Sequence, residues 1–173
     1  MTSFSLIPFN SDTAPAIAID GNIEREHNQL KIKYNLKGAS QVVVPEKSDL
    51  PTRQYDLWEH TCFEFFIALK DSSIYWEFNL SPAKHWNVFH FLGYRQNIAE
   101  EVTFDTLPFE VFLQDDSLLL NLEVELDKII SESELEVGIT TVVEDDRQLS
   151  YWALTHPAKE ADFHHPDSFI IKL

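Results

Sequence analysis

Apolar side chains recur at every second position in one segment after another of this sequence. A period of two is the mark of strands, not helices. Residues 29–36 set Leu30, Ile32, Tyr34 and Leu36 against Lys31, Lys33 and Asn35. The alternation returns over 63–69, 74–80, 118–126, 135–143 and 149–156, and 42–44, 86–92, 109–113 and 169–171 complete nine to ten short strands. Turn-forming clusters separate these runs: Asp20-Gly21-Asn22, Lys37-Gly38, Asp71-Ser72-Ser73, Asp115-Asp116 and Glu144-Asp145-Asp146. Only 127–133 reads as a short helix, with Asp127 as its N-cap. Segments 46–60 and 157–167 carry no period and read as long loops, which commonly carry sites on a strand scaffold. The expected fold class is all-β: an antiparallel β-sandwich, immunoglobulin-like or jelly-roll, with 1–173 as a single domain.

Composition narrows the function classes. A chain of 173 residues buries roughly 70% of its surface on folding, enough for a core without disulfides or structural metals. Asp and Glu outnumber Lys and Arg by 29 to 13, a formal charge of −16, and no long basic run occurs. Nucleic acid and anionic membranes are therefore excluded as main partners. Four glycines provide no material for a phosphate-cradling loop or a dinucleotide fingerprint. The lone cysteine, Cys62, permits no intrachain disulfide, and the start MTSFSLIPFNSD lacks the basic and long apolar stretches of a secretory signal. No apolar run approaches the ~18 residues a bilayer requires. The expectation is a soluble, acidic, cytoplasmic protein; the sequence carries no signal for its oligomeric state.

The stretch CFEFFIALKDSSIYWEFNLSP can be read by register. A four-residue loop over 70–73 pairs Leu69 with Ile74, and strand alternation then fixes the rest. One face receives Phe63, Phe65, Ile67 and Leu69 opposite Leu80, Phe78, Trp76 and Ile74, and must be core. The other pairs Cys62 with Ser81, Glu64 with Asn79, Phe66 with Glu77 and Ala68 with Tyr75, so Glu64 and Glu77 become diagonal neighbours. Two carboxyls and a carboxamide beside aromatic rings suit sugars, whose hydroxyls take planar hydrogen-bonding groups and whose C–H faces take rings. The plain alternative is a solvated sheet face.

Trp58 and Glu59 precede this hairpin; Trp86, Tyr94 and Arg95 follow it; Trp152 lies on a late strand. Trp58 and Trp152, near strand ends and loops, are the better stacking platforms, with core packing the alternative for each Trp. Arg95 suits two hydroxyls or a carboxylate, or else an ion pair with Glu64 or Glu77. His156, Asp162, His164 and His165 gather in THPAKEADFHHPDSF, but their spacing matches no metal motif. Histidines bonded to loop carbonyls, with Phe163 packed inward, are the plainer arrangement, leaving His156 or His164 to line a ligand. No G-x-S-x-G elbow occurs, and Cys62 lies mid-strand with no orienting His. Glu64 with Glu77 leaves a sugar hydrolase as an alternative to binding without catalysis.

The run LWEHTCFEFFIAL…IYWEFNLSPAKHWNVFHFLGYR, then LSYWALTHP and ADFHHPDSF, resembles the DOMON-like domains related to family 9 carbohydrate-binding modules. The resemblance covers the chain from about Leu57 onward. It implies an immunoglobulin-like sandwich in which two Trp rings hold a terminal sugar while acidic, amide and arginine side chains fix its hydroxyls. It assigns the platforms to Trp58 and Trp152 and the polar contacts to Glu64, Glu77, Asn79 and Arg95. Together with Glu59, Tyr75, Trp86, Tyr94, His156 and His164, these form the candidate ligand-binding set, for a carbohydrate or small polyhydroxylated molecule and with no cofactor. Other sandwiches of the wider superfamily bind haem through Met and His. Met1 is the only methionine here, so a haem or redox alternative would need two of His60, His85, His90, His156, His164 and His165 to converge.

Overall fold

The computed structural model describes residues 1–130 and 133–173. Its strands are β1 (Thr2–Pro8), β2 (Ala18–Glu26), β3 (Gln29–Lys37), β4 (Cys62–Leu69), β5 (Tyr75–Leu80), β6 (Trp86–Phe91), β7 (Ala99–Glu100), β8 (Phe109–Gln114), β9 (Ser117–Glu125), β10 (Leu135–Glu144), β11 (Leu149–Ala153) and β12 (Ile171–Lys172). These twelve exceed the nine to ten expected. All strand pairs are antiparallel, in the continuous order β7-β6-β5-β4-β10-β11-β1-β2-β3-β9-β8, with β12 beside β10.

The path curls so that its two halves face one another across a shared core. Leu30, Ile32 and Leu36 of β3 and Leu118, Leu120 and Leu122 of β9 pack in one cluster with Phe63, Phe65 and Ile67 of β4 and Trp76, Phe78 and Leu80 of β5. Phe65 stacks on Phe78 at 4.4 Å. The Tyr34 hydroxyl crosses the core and donates to the Glu64 carbonyl at 2.7 Å. β1 joins the halves: residues 2–6 pair with β2, whereas Ile7 and Pro8 pair with Ala153 and Trp152 of β11.

The halves differ in what covers their outer faces. β3 and β9 alternate buried and wet positions, whereas β4, β5 and β10 are buried on nearly every residue. An antiparallel sheet with one wet face alternates; a run buried on both faces has something lying on it. On β4 and β5 that cover is the C-terminal segment. Phe169 stacks on Phe66 at 5.5 Å, and Gly138 makes the approach possible, since a Cβ there would meet Phe169 Cδ1 at 2.5 Å. Hence the plain alternative for this face, a solvated sheet surface, does not describe it.

The hairpin register is as expected, from Phe63↔Leu80 through Glu64↔Asn79 to Ala68↔Tyr75. Other expectations need correction. Asp20-Gly21-Asn22 is no turn but the middle of β2; Gly21 is required because a Cβ would meet Lys33 O at 2.0 Å and Phe4 Cζ at 2.5 Å. Residues 42–44 form no strand; Val43 N–H donates to the Glu144 carbonyl at 2.7 Å, and the Val43 carbonyl accepts from the Thr61 hydroxyl at 2.7 Å. Strands β1, β2 and β7 add to the expected list. In place of the expected helix, 127–129 form a turn whose Ile129 and Ile130 amides both donate to the Leu126 carbonyl; positions 131–132 of that helix lie outside the described residues.

Candidate functional site

On the outer face of β4, β5, β6, β10 and β11 lies a cavity of about 570 Å³. That size falls in the range of small-molecule pockets. Strand parity decides what reaches it. The even residues of β4 and the odd residues of β5 point outward and supply Glu64 and Glu77 to its floor. Phe89 and Phe91 of β6, Val142 of β10 and Tyr151 of β11 extend that surface. Three loops form the rim. The 3-10 turn at Leu57–Glu59 brings Trp58 and Glu59, the tight turn at 93–96 brings Arg95, and the C-terminal segment brings Phe163 and His164.

The floor is a set of buried polar groups. Glu77 Oε1 accepts from Asn79 Nδ2 at 2.8 Å, and its Oε2 lies 3.7 Å from His164 Nε2. Glu64 Oε2 accepts from the Thr140 hydroxyl at 3.3 Å, while Glu64 Oε1 is buried without a hydrogen-bond partner. Burial first, then the Glu77 charge, pushes the Glu64 carboxyl well above the usual carboxylate range against the Thr140 bond. Burial likewise raises Glu77 to about 7, against the Asn79 bond and the Arg95 charge. Burial, with Arg95 nearby, lowers His164 to about 4, so the imidazole is neutral at physiological pH.

A hydrogen-bonded chain holds the rim. Arg95 Nη2 donates to Asp162 Oδ1 at 2.9 Å, and the Tyr94 hydroxyl donates to Asp162 Oδ2 at 2.6 Å. Burial opposes ionisation of Asp162, but these two bonds prevail and hold its carboxyl below the ordinary value. Arg95 thus pairs with Asp162, where the sequence had offered Glu64 or Glu77. Its backbone N–H donates to the Tyr75 hydroxyl at 3.1 Å, and Tyr75 stacks on Phe91 at 4.5 Å.

Of the candidate residues, Trp58, Glu59, Glu64, Glu77, Arg95 and His164 line the cavity. Tyr75, Asn79 and Tyr94 stand behind them as hydrogen-bonding supports. Three lie elsewhere. Trp86 and Trp152 belong to the central core, Trp86 under the Arg53 guanidinium at 4.4 Å and Trp152 with Nε1 donating to Ser150 Oγ at 3.0 Å. Trp152 is therefore not positioned as a platform; parity places its neighbour Tyr151 on the cavity wall, within 5.9 Å of Phe163. His156 Nε2 bonds the Ile7 carbonyl at 2.9 Å and packs against Phe9, away from the site. Phe89, Phe91, Tyr151 and Phe163 were absent from the candidate set. The alternation that puts Trp86, Val88 and Trp152 in the core was the signal that their odd-numbered neighbours face outward.

The other histidines do not converge. His60 Nδ1 lies 2.8 Å from Glu144 Oε2, His85 Nδ1 lies 3.1 Å from the Thr52 hydroxyl, and His90 stacks on Trp76. His165 accepts from the Asp167 amide at 3.3 Å. Among the described residues no three His, Cys, Asp or Glu side chains gather into a group able to hold a metal ion.

No protein-family model matches the sequence, and no curated protein matches it. Solved structures share the fold. A provisionally assigned carbohydrate-binding protein from Bacteroides uniformis is 13% identical, with a TM-score of 0.73 over 98% of this chain and 84% of its own. A family 9 carbohydrate-binding module from Caldicellulosiruptor kristjanssonii is 11% identical in two structures. Its glucose complex has a TM-score of 0.52 over 92% of this chain and 77% of its own. Its cellotriose complex has a TM-score of 0.56 over 91% and 75%. At such identities the likeness is one of fold.

Proposed function

We propose that the chain is a single, non-catalytic binding domain for a carbohydrate or similar small polyhydroxylated ligand, an immunoglobulin-like sandwich of the DOMON-like type. One observation carries this reading: Glu64, Glu77, Arg95 and His164 share a cavity with the rings of Trp58, Phe89, Phe91 and Tyr151. Rings cover the apolar face of a pyranose, and planar polar groups fix its hydroxyls. The fold shared with modules solved with glucose and cellotriose supports the same reading.

Each residue then has a stated task. Trp58, half-buried against Phe89 at 5.9 Å, stacks on the sugar. Glu77 accepts from a hydroxyl, His164 Nε2–H donates to another, and Arg95 closes the rim. A single stacked ring contributes about 1 kcal/mol beyond area burial, so affinity falls in the millimolar to micromolar range. Titrating glucose, cellobiose and cellotriose while following tryptophan fluorescence tests the proposal. Saturable quenching that disappears in Trp58→Ala is expected; no response across a broad glycan array would end it.

A further inference from the structure

Three buried side-chain oxygens among the described residues have no hydrogen-bond partner, and Glu64 Oε1 is the one belonging to an ionisable group. Glu64 is 2% exposed and forms part of the cavity floor. A buried carboxyl oxygen left without a partner is costly, and a ligand that reaches it recovers that cost. Glu77 also lines the cavity, with its Oε2 3.7 Å from His164 Nε2, beyond hydrogen-bond reach of that neutral ring. Glu59 adds a third carboxyl to the wall.

Among the described residues no side-chain cation hydrogen-bonds these acids, although the Arg95 charge acts on Glu77. Arg95 is the one Lys or Arg among the described lining residues, and its guanidinium bonds Asp162, not either floor glutamate. The Tyr75 hydroxyl is committed to Arg95 N–H and His164. The floor is therefore rich in acceptors, and its walls are aromatic faces, which attract cations as well as C–H groups. A neutral hydroxyl brings one proton to such a floor. A protonated amine brings three and a charge, enough for two carboxylates at once.

We infer that the ligand is an amino sugar whose ammonium group sits against the Glu64 and Glu77 carboxyls, with its ring against Trp58. This rests on the carbohydrate-binding reading and narrows it to a cationic class. Because burial holds protons on these carboxyls, seating the ammonium expels proton to solvent.

Calorimetric titration at neutral pH with glucosamine, N-acetylglucosamine, glucose and trans-2-aminocyclohexanol, each in two buffers of different ionisation enthalpy, tests it. Glucosamine is expected to bind about tenfold or more tightly than glucose, with net proton release, and N-acetylation to abolish the advantage. Glu77→Gln and Glu64→Gln should each remove the preference in a chain that still melts cooperatively. If Glu64→Gln does not fold, Glu77→Gln and proton release in the unaltered protein decide the matter. Glucose and glucosamine bound within about threefold of each other, without proton release, would overturn the inference and leave sugar binding standing. Binding of the aminocyclohexanol but of no sugar would uphold the ammonium site and overturn the polyhydroxylated ligand. Failure of all four probes would overturn both.

Discussion

The Tyr75 hydroxyl lies 2.9 Å from His164 Nδ1, where it biases which ring nitrogen carries the proton. That hydroxyl already accepts from the Arg95 amide at 3.1 Å, so its own proton serves Nδ1. The imidazole hydrogen is left on Nε2, which faces Glu77 and the cavity. A residue on β5 thereby sets the donor character of a residue on the C-terminal loop.

Tyr75→Phe keeps the stack on Phe91 but strips His164 Nδ1 and the Arg95 amide of their partner. A loss of about 1–3 kcal/mol in stability is expected. The His164 nitrogen chemical shifts should move toward a tautomer mixture. Unchanged nitrogen shifts in the variant would show that Tyr75 does not set the tautomer.

The pocket acids give stability a distinctive pH course. Burial raises Glu77 from an ordinary 4.5 to about 7 and Glu64 in the same direction. A carboxyl of this kind keeps its proton in the fold after the unfolded chain has released it. Its contribution is full below the ordinary value and is lost as pH rises through the raised one. His164, lowered from 6.5 to about 4, acts oppositely, contributing more as pH climbs between those values. The slopes partly cancel below pH 6.5, and above it the carboxyls act alone, so the fall in stability steepens. Glu77→Gln should flatten the fall between about pH 4.5 and 7, a gain that reaches up to roughly 3 kcal/mol once pH exceeds 7 and leaves any steeper fall above that to Glu64. Thermal melts across the range decide; a wild-type protein no less stable at pH 8 than at pH 6.5 contradicts the assignment.

The two tryptophans offered as platforms should separate cleanly. Trp152→Ala empties a core position and is expected to cost about 3–5 kcal/mol. Trp58→Ala, at a half-exposed rim position, should cost far less stability while weakening sugar binding. Paired melting curves and calorimetry distinguish the two outcomes; equal losses of stability would place Trp58 in the core.

Gly21→Ala and Gly138→Ala should fail differently. At Gly21 the new Cβ meets the Lys33 carbonyl, backbone that cannot move without breaking the β2–β3 ladder, so global destabilisation above about 2 kcal/mol is expected. At Gly138 it meets the Phe169 ring, which can tilt away. That variant should stay folded but exchange amide hydrogens faster over 161–169 and bind ligand more weakly. Hydrogen exchange provides the measurement, and protection unchanged over 161–169 would contradict the role given to Gly138.

What the sequence disclosed was local. The 70–73 loop joins strands adjacent in the chain, so the whole β4–β5 register followed from period and loop length, and with it the shared face of Glu64 and Glu77. Tyr151 was hidden because the facing of β11 depends on its pairing with β10 and β1, distant in sequence, and Trp152 drew attention as the larger indole. The Asp20-Gly21-Asn22 cluster has turn composition, but the close approach of the Lys33 carbonyl and the Phe4 ring is what requires the glycine. Nothing near Glu64 announced that Phe163, His164 and Phe169 would fold back over it. That cover turns a wet sheet face into a pocket.

β1 splits its hydrogen bonds between two neighbours, one starting sixteen residues after its own first residue and the other near the far end of the chain. β3 and β4 likewise wait for β9 and β10. During synthesis only hairpins such as β2–β3 and β4–β5 can assemble as they emerge from the ribosome, with apolar edges uncovered until the last fifth arrives. Premature termination anywhere before β11 therefore yields sticky half-structures, and the N-terminal ribbon acts as the clasp that shuts only on the finished polypeptide.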